Sequence, residues 1–102
     1  LDTVESEGAG ICFDTGHYNL FSPLPMQSWF NRLGNSILVC HIHDNDRSGD
    51  QHLAIGDGCL DYNPLIEWYK QLDIDKKPVM TLEALNRADV ITSVTRIKSW
   101  NL

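Results

Sequence analysis

The chain has 102 residues, enough for one domain or part of one, and its 42% hydrophobic and 22% charged residues are ordinary for a globular protein. Asp and Glu outnumber Lys and Arg by 14 to 8, a net charge of −6, which argues against a nucleic-acid binder because such proteins carry a basic footprint. No apolar run approaches the ~20 residues of a membrane span, and Leu1-Asp2-Thr3-Val4-Glu5 lacks the basic and apolar regions of a signal peptide.

Gly10-Ile11-Cys12-Phe13-Asp14 is a short apolar run bounded by glycines, with Gly16 and His17 just beyond. It reads as a buried strand ending in Asp14. Ser22-Pro23-Leu24-Pro25 then punctuates the chain. Met26, Trp29, Phe30 and Leu33 fall at i, i+3, i+4, i+7, one apolar helix face, with Gly34 suited to the C′ position. A Met and aromatic stripe at that spacing is core packing.

Residues 36–43 read as a second strand. Side chains alternate along a strand, so Ile37, Val39, His41 and His43 share one face and Leu38, Cys40 and Ile42 the other. The second face would pack on helices, and the first would line an interior that turns polar toward the strand end. From Cys40 to His52, thirteen residues hold three of the chain's four histidines, with three aspartates and Arg47. Imidazole and carboxylate together suit Zn, Mn, Fe or Mg. The loop that runs on through Gly56-Asp57-Gly58 to about Tyr62 is long for a connection in a compact domain, and loops of that length are usually functional or disordered.

Asn63-Pro64 reads as an N-cap followed by proline, opening a helix with Leu65, Trp68, Tyr69 and Leu72 on its face. After the polar turn at 73–77, residues 78–83 read as a third strand whose interior face carries Val79, Thr81 and Glu83. Asn86 with Asp89 resembles an N-cap with an acid at N3. Val90, Ile91, Val94 and Ile97 then form the apolar face of a last helix that reaches Trp100.

Strands separated by single helices imply right-handed crossovers and a parallel sheet, so the fold class is α/β and residues 1–102 form one unit of parallel βα pairs. Each strand ends in a metal-ligand type: Asp14, His41, Glu83. In α/β proteins sites form where the carboxyl ends of parallel strands meet their loops. Asp14 is equally suited to cap a helix. Glu83 favours a functional role, since an unpartnered interior acid is costly. His43 reads as a satisfied histidine near the loop. Asp50 and His52 suit either a further metal or hydrogen bonds that order the loop. Asp44, Asn45 and Asp46 suit turns and hydrogen bonds to ligand histidines. Asp57 and Asp61 read as turn and cap residues. Trp29, Trp68 and Trp100 read as packing. Cys12, Cys40 and Cys59 are odd in number with no CxxC, which fits reduced thiols in a cytoplasmic protein.

Phe13-Asp14-Thr15-Gly16-His17, the stretch from His41-Ile42-His43-Asp44-Asn45 through Asp50-Gln51-His52 to Gly56-Asp57-Gly58-Cys59-Leu60-Asp61, and Leu82-Glu83 follow one another in the order of the last three strand–helix units of a TIM (β/α)8 barrel. The ordered set resembles the xylose isomerase-like TIM barrel superfamily, which holds sugar and sugar phosphate isomerases and epimerases and the family 2 AP endonucleases. The resemblance implies that Asp14, His41 and Glu83 ligate a divalent metal, Mn²⁺, Mg²⁺ or Co²⁺, with Glu83 doubling as general base. His17 and Arg47 would touch a small-molecule sugar. A fourth ligand, a glutamate on the fifth strand, is expected upstream. In the endonuclease branch His17, Asp50 and His52 would bind further Zn²⁺. The acidic balance favours a metal-dependent isomerase or epimerase of carbohydrate metabolism over a zinc phosphodiesterase or an inactive remnant. A piece with three strands is expected to be inert alone, and to associate with itself or with the remainder of a barrel.

Overall fold

The computed structural model describes residues 2, 3 and 10–102. Glu5 and the other residues 4–9 lie outside them. Four strands form one sheet in the order β1 (Asp2–Thr3), β2 (Ile11–Asp14), β3 (Ile37–Ile42), β4 (Val79–Leu82). The pairs β2–β3 and β3–β4 are parallel, as an α/β chain requires. A short antiparallel β1 against β2, which the alternation of strands and helices does not predict, completes the sheet.

One expected face assignment is corrected. Strict alternation puts Ile37 on the interior face with Val39 and His41, and Leu38 on the helix face. In the structure the register slips between Ile11 and Cys12: Ile11 pairs with Ile37, but Cys12 pairs with Val39. Leu38 is therefore an extra residue in β3, and an extra residue flips the alternation on one side of it. Ile37 joins Cys40 and Ile42 in the core, while Leu38 is 54% exposed. Val39 and His41 keep the interior face. Because the slip lies before His41, the register Asp14↔His41↔Thr81 at the carboxyl end is intact.

Helices α2 (Met26–Leu33) and α3 (Asn63–Gln71) cover the helix face of the sheet. Met26, Phe30, Phe13, Ile42 and Leu65 form the center of the core, and Trp68 stacks flat on Phe30 with centroids 4.3 Å apart. Gly34 does not adopt the left-handed C′ conformation. Its φ of −54° continues α2 into a short 3-10 turn at Gly34–Ser36. The cap of α3 is also one step earlier than expected, at Tyr62, which makes no side-chain cap hydrogen bond; the Asp61 carboxylate just before it accepts from the Asn63 amide. In α4 (Arg87–Lys98) Asn86 caps as expected by accepting from the Asp89 amide. Its inward face differs, however. Ser93 is buried, accepting from the Ile55 amide, and Ile97 packs on the core, while Val90, Ile91 and Val94 stay exposed.

A further helix, α1 (Thr15–Phe21), follows β2 directly. Only seven residues long, it has no room for a repeating apolar face. Its start is set by Asp14, whose carboxylate accepts from the His17 amide at 2.9 Å.

The interior face is uncovered: Val79 is 66% exposed and Thr81 is exposed beside it. β4 has no strand on its outer edge among the described residues. Open parallel edges recruit other strands, and an uncovered parallel sheet face is rare. The isolated 102-residue polypeptide is therefore expected to sediment as dimers or larger species at micromolar concentration. Adding lysine at Val79 should shift it toward monomer, and a monodisperse monomer for the unaltered chain would refute the expectation.

Candidate metal centre

The carboxyl ends of β2, β3 and β4 bring Asp14, His41 and the residue just past β4, Glu83, to one side of the sheet. The Glu83 amide donates to Ile42 O at 3.1 Å, so the parallel pairing runs one residue past β4 and fixes its backbone. His41 Nδ1 lies 2.6 Å from Glu83 Oε1 and 3.9 Å from Asp14 Oδ2. One ligand atom of each of the three lies within 4.8 Å of the other two. Ligands about 2.0–2.3 Å from a shared ion can be at most about 4.6 Å apart, and both named pairs fall inside that reach.

The Glu83 Oε1 atom is buried with no hydrogen-bond partner, although His41 Nδ1 is 2.6 Å away. The two atoms crowd together without the directionality of a hydrogen bond. Both atoms are of ligating type, and with Asp14 they form a donor set within reach of one cation. The hard and borderline donors, two carboxylates and an imidazole, suit Mn²⁺, Mg²⁺, Co²⁺ or Zn²⁺.

A second layer surrounds this group. His43, read from the sequence as a satisfied histidine, is buried with Nε2 2.7 Å from Asp14 Oδ1, but its Nδ1 has no hydrogen-bond partner. Burial would raise the Asp14 pKa, yet the His43 hydrogen bond and the His17 amide outweigh it and hold the carboxyl below its ordinary range. Burial would likewise lower His43, and the Asp14 carboxylate reverses that, holding the imidazole above its ordinary value. His17 sits at the rim, Nδ1 3.7 Å from Asp14 Oδ2 and Nε2 3.3 Å from Asp50 Oδ2. Its ring also lines a cavity of about 240 Å³ with Tyr18, Phe21, Ser22, Pro23 and Trp29.

The loop at 44–61 folds over the carboxyl end of the sheet. His52 points to the site: its Nδ1 is 3.0 Å from Glu83 O, its ring stacks on His43 at 4.1 Å, and its Nε2 is 3.3 Å from Asp50 Oδ1. Asp50 thus stands between His17 and His52, and His43, Asp50 and His52 form a second group with ligand atoms within 4.8 Å. Arg47 is not brought to these residues. Its Nε donates to Asn19 Oδ1 at 3.2 Å, and it borders a separate cavity of about 220 Å³ with Tyr18, Pro25 and Cys59.

The turn role expected of this segment is met, Asn45 and Asp46 side chains accepting from the Arg47 and Ser48 amides, but Asp44 and Asn45 do not reach the histidines. Asp44 is fully buried, and its carboxylate accepts from the amides of Asn45, Gly56 and Leu60. A long loop pressed against a core buries amides that need acceptors, and the nearest carboxylate serves them. A Cβ at Gly58 would overlap Asn45 O and Asp44 Oδ1, so only glycine lets the loop close on this hub. Asn45 is buried as well, donating to Gly16 O and accepting from Asn19 Nδ2. Asp57 pairs with Arg96 at 2.7 Å. Cys40 is inert packing, its thiol pushed up to about 12 by burial.

Strand alternation puts His41 and His43 on one face, and that spacing is the sequence signal for His43's part. Thr15 and Asn19, which hold the second layer, gave no such signal, because α1 is too short to show a pattern.

The family model described as "Xylose isomerase-like TIM barrel" matches residues 1–99. The uncharacterized protein MJ1311 of Methanocaldococcus jannaschii is 31% identical over 98 residues, covering 95% of this chain and 33% of that protein. The uncharacterized protein y4fM of Sinorhizobium fredii is 38% identical over 60 residues, 59% of this chain and 19% of that protein. A crystal structure of a D-tagatose 3-epimerase-like protein superposes with a TM-score of 0.78 at 30% identity, covering 96% of this chain and 36% of that one. The chain thus spans about a third of the length of MJ1311 and of that crystallized protein.

Proposed function

Because the chain belongs to the xylose isomerase-like TIM barrel family, we propose that it supplies the metal-binding and proton-transfer residues of a divalent-metal-dependent sugar or sugar phosphate isomerase or epimerase. Residues 1–102 are assigned in this reading to the last three strand–helix units of the barrel. The observation that carries it is the convergence of Asp14, His41 and Glu83 at three strand ends, with Glu83 Oε1 buried and lacking a hydrogen bond.

When bound, a divalent ion would supply Lewis-acid polarization of the substrate carbonyl and its neighboring hydroxyl. Glu83 takes the proton from the carbon beside that carbonyl. A glutamate on a preceding strand, outside this chain, would act from the opposite face. His17, at the rim and 3.3 Å from Asp50, would meet a substrate oxygen. Arg47 would have to leave Asn19 to do the same. His52 and Asp50 anchor the loop beside the site, His52 through Glu83 O and Asp50 through His52. Among the described residues no helix is long and apolar enough to cross a membrane. We assign the protein to the cytoplasm on its odd set of cysteines, which suits reduced thiols.

The approach of His17 and His52 to Asp50 favors a second reading, a zinc phosphodiesterase acting on abasic DNA, in which those residues hold further zinc. One experiment separates them. The whole barrel is incubated with ketoses and ketose phosphates in D₂O with Mn²⁺, and bound ions are counted by equilibrium dialysis. Deuterium appearing on the carbon beside the carbonyl, with about one ion per barrel, is the expected result. Two or three zinc ions with cleavage of an abasic oligonucleotide, and no deuterium uptake, would replace this reading with the second.

A further inference from the structure

His43 lies one residue beyond β3, is 1% exposed, and has been given no part in the chemistry so far. It is held on every side. One hydroxyl grips its backbone: Thr15 Oγ1 donates to His43 O at 2.8 Å and accepts from His43 N at 3.1 Å. His52 stacks on the ring nearly in parallel, at an interplanar angle of 8°. Gly16 lies so close that a Cβ there would overlap the imidazole. A ring this confined has one direction in which to offer Nε2, and that direction is Asp14 Oδ1 at 2.7 Å.

Asp14's carboxylate can only accept, so Nε2 carries the proton and donates. The same Oδ1 accepts from the His17 amide at 2.9 Å. Two donors therefore occupy Oδ1. The other oxygen, Oδ2, is the one facing His41 Nδ1 at 3.9 Å. Resting on the metal reading above, we propose that His43 is a positioning residue that holds Asp14 as a ligand through one oxygen, Oδ2 alone being presented to the ion and Oδ1 kept from it. Partners that orient ligands in this way typically change metal affinity by about 10–100-fold when removed.

The donor hydrogen bond, not the bulk of the ring, is what the proposal requires. Two substitutions separate them. His43→Phe keeps the flat shape that fills the space beside Gly16 and stacks on His52, but has no donor. His43→Gln loses the ring and keeps an N–H that reaches Asp14. The probe is Co²⁺ alone, titrated into the protein, with affinity and visible absorption read together and folding checked by circular dichroism. His43→Phe is expected to bind Co²⁺ about 10–100-fold more weakly. At saturation its visible band should be weaker than wild type, as Asp14 turns to bind through both oxygens and coordination number rises. His43→Gln should match wild type in both.

A purely structural role would lower the melting temperature of the variants and leave the saturated Co²⁺ spectrum unchanged, and that result overturns the proposal. A folded His43→Gln that loses both affinity and spectrum overturns it too, and this arm stands even if His43→Phe does not fold. Asp14→Ala tells the two levels apart. Wild-type Co²⁺ affinity in Asp14→Ala, or no Co²⁺ uptake by wild type, overturns the metal reading and the positioning with it. Loss of binding in Asp14→Ala with unchanged binding in His43→Phe overturns the positioning alone.

Discussion

Replacing Glu83 by glutamine is expected to reduce turnover of the whole barrel by about 10²–10⁴-fold at saturating metal, the span a positioned general base contributes. The amide keeps the shape and one oxygen that can face His41, but it cannot accept a proton at neutral pH. Metal affinity should fall as well, because a neutral oxygen replaces the carboxylate that lies 2.6 Å from His41 Nδ1. Measuring turnover across a metal titration separates the two losses. If enough Mn²⁺ restores the wild-type rate, Glu83 is a ligand only and the proton must go elsewhere. Glu83→Asp tests reach: it keeps the charge but retracts it by one methylene, away from a backbone fixed by the bond to Ile42 O. Its rate should lie between the two.

Asp44→Ala is expected to be the most destabilizing polar substitution in the loop. The wild-type carboxylate is fully buried and serves the amides of Asn45, Gly56 and Leu60. An unsatisfied buried donor costs about 1–3 kcal/mol, so losing all three should cost roughly 3 kcal/mol or more even if water recovers part of it. In a barrel about three times the length of this chain that lowers Tm by roughly 6–12 °C. Asp44→Asn, which keeps one acceptor oxygen, should fall between. Hydrogen exchange at the Gly56 and Leu60 amides should speed up by a factor matching the stability lost, while the amides of β3 respond less. Since Asp50 and His52 ride on the same loop, the variant should also bind metal more weakly. An Asp44→Ala protein that melts with wild type would show that the loop is held by its apolar contacts, Ile55 and Leu60 against the core, and not by this hub.

The strands and their ligand ends were legible from local pattern. Short apolar runs bounded by glycine and polar turns, each closing on Asp14, His41 or Glu83, identify a parallel α/β sheet because strand alternation and helix spacing are properties of neighbors in sequence. The same holds for the Asn86 cap and for the aromatic stripe of α2, where Phe30 meets Trp68. It also holds for the place of the loop, since a long segment rich in ligand types that follows a strand has to lie at its carboxyl end.

What depended on distant partners was decided by the tertiary structure. The extra residue at Leu38 reflects how β3 aligns with β2, a relation between two segments that neither displays alone. Val90, Ile91 and Val94 are spaced for burial, yet α4 presents Ser93 inward because the Ile55 amide, 38 residues away in sequence, needs an acceptor there. Asp44 faces the backbone of its own loop instead of a histidine for the same reason. His43 changes from a bland neighbor into the residue that orients Asp14 only when Thr15, Gly16 and His52 close around it. Sequence pattern determined which residues reach the carboxyl end of the sheet. Which atoms meet there was set by pairing, burial and hydrogen-bond demand between segments far apart in the chain.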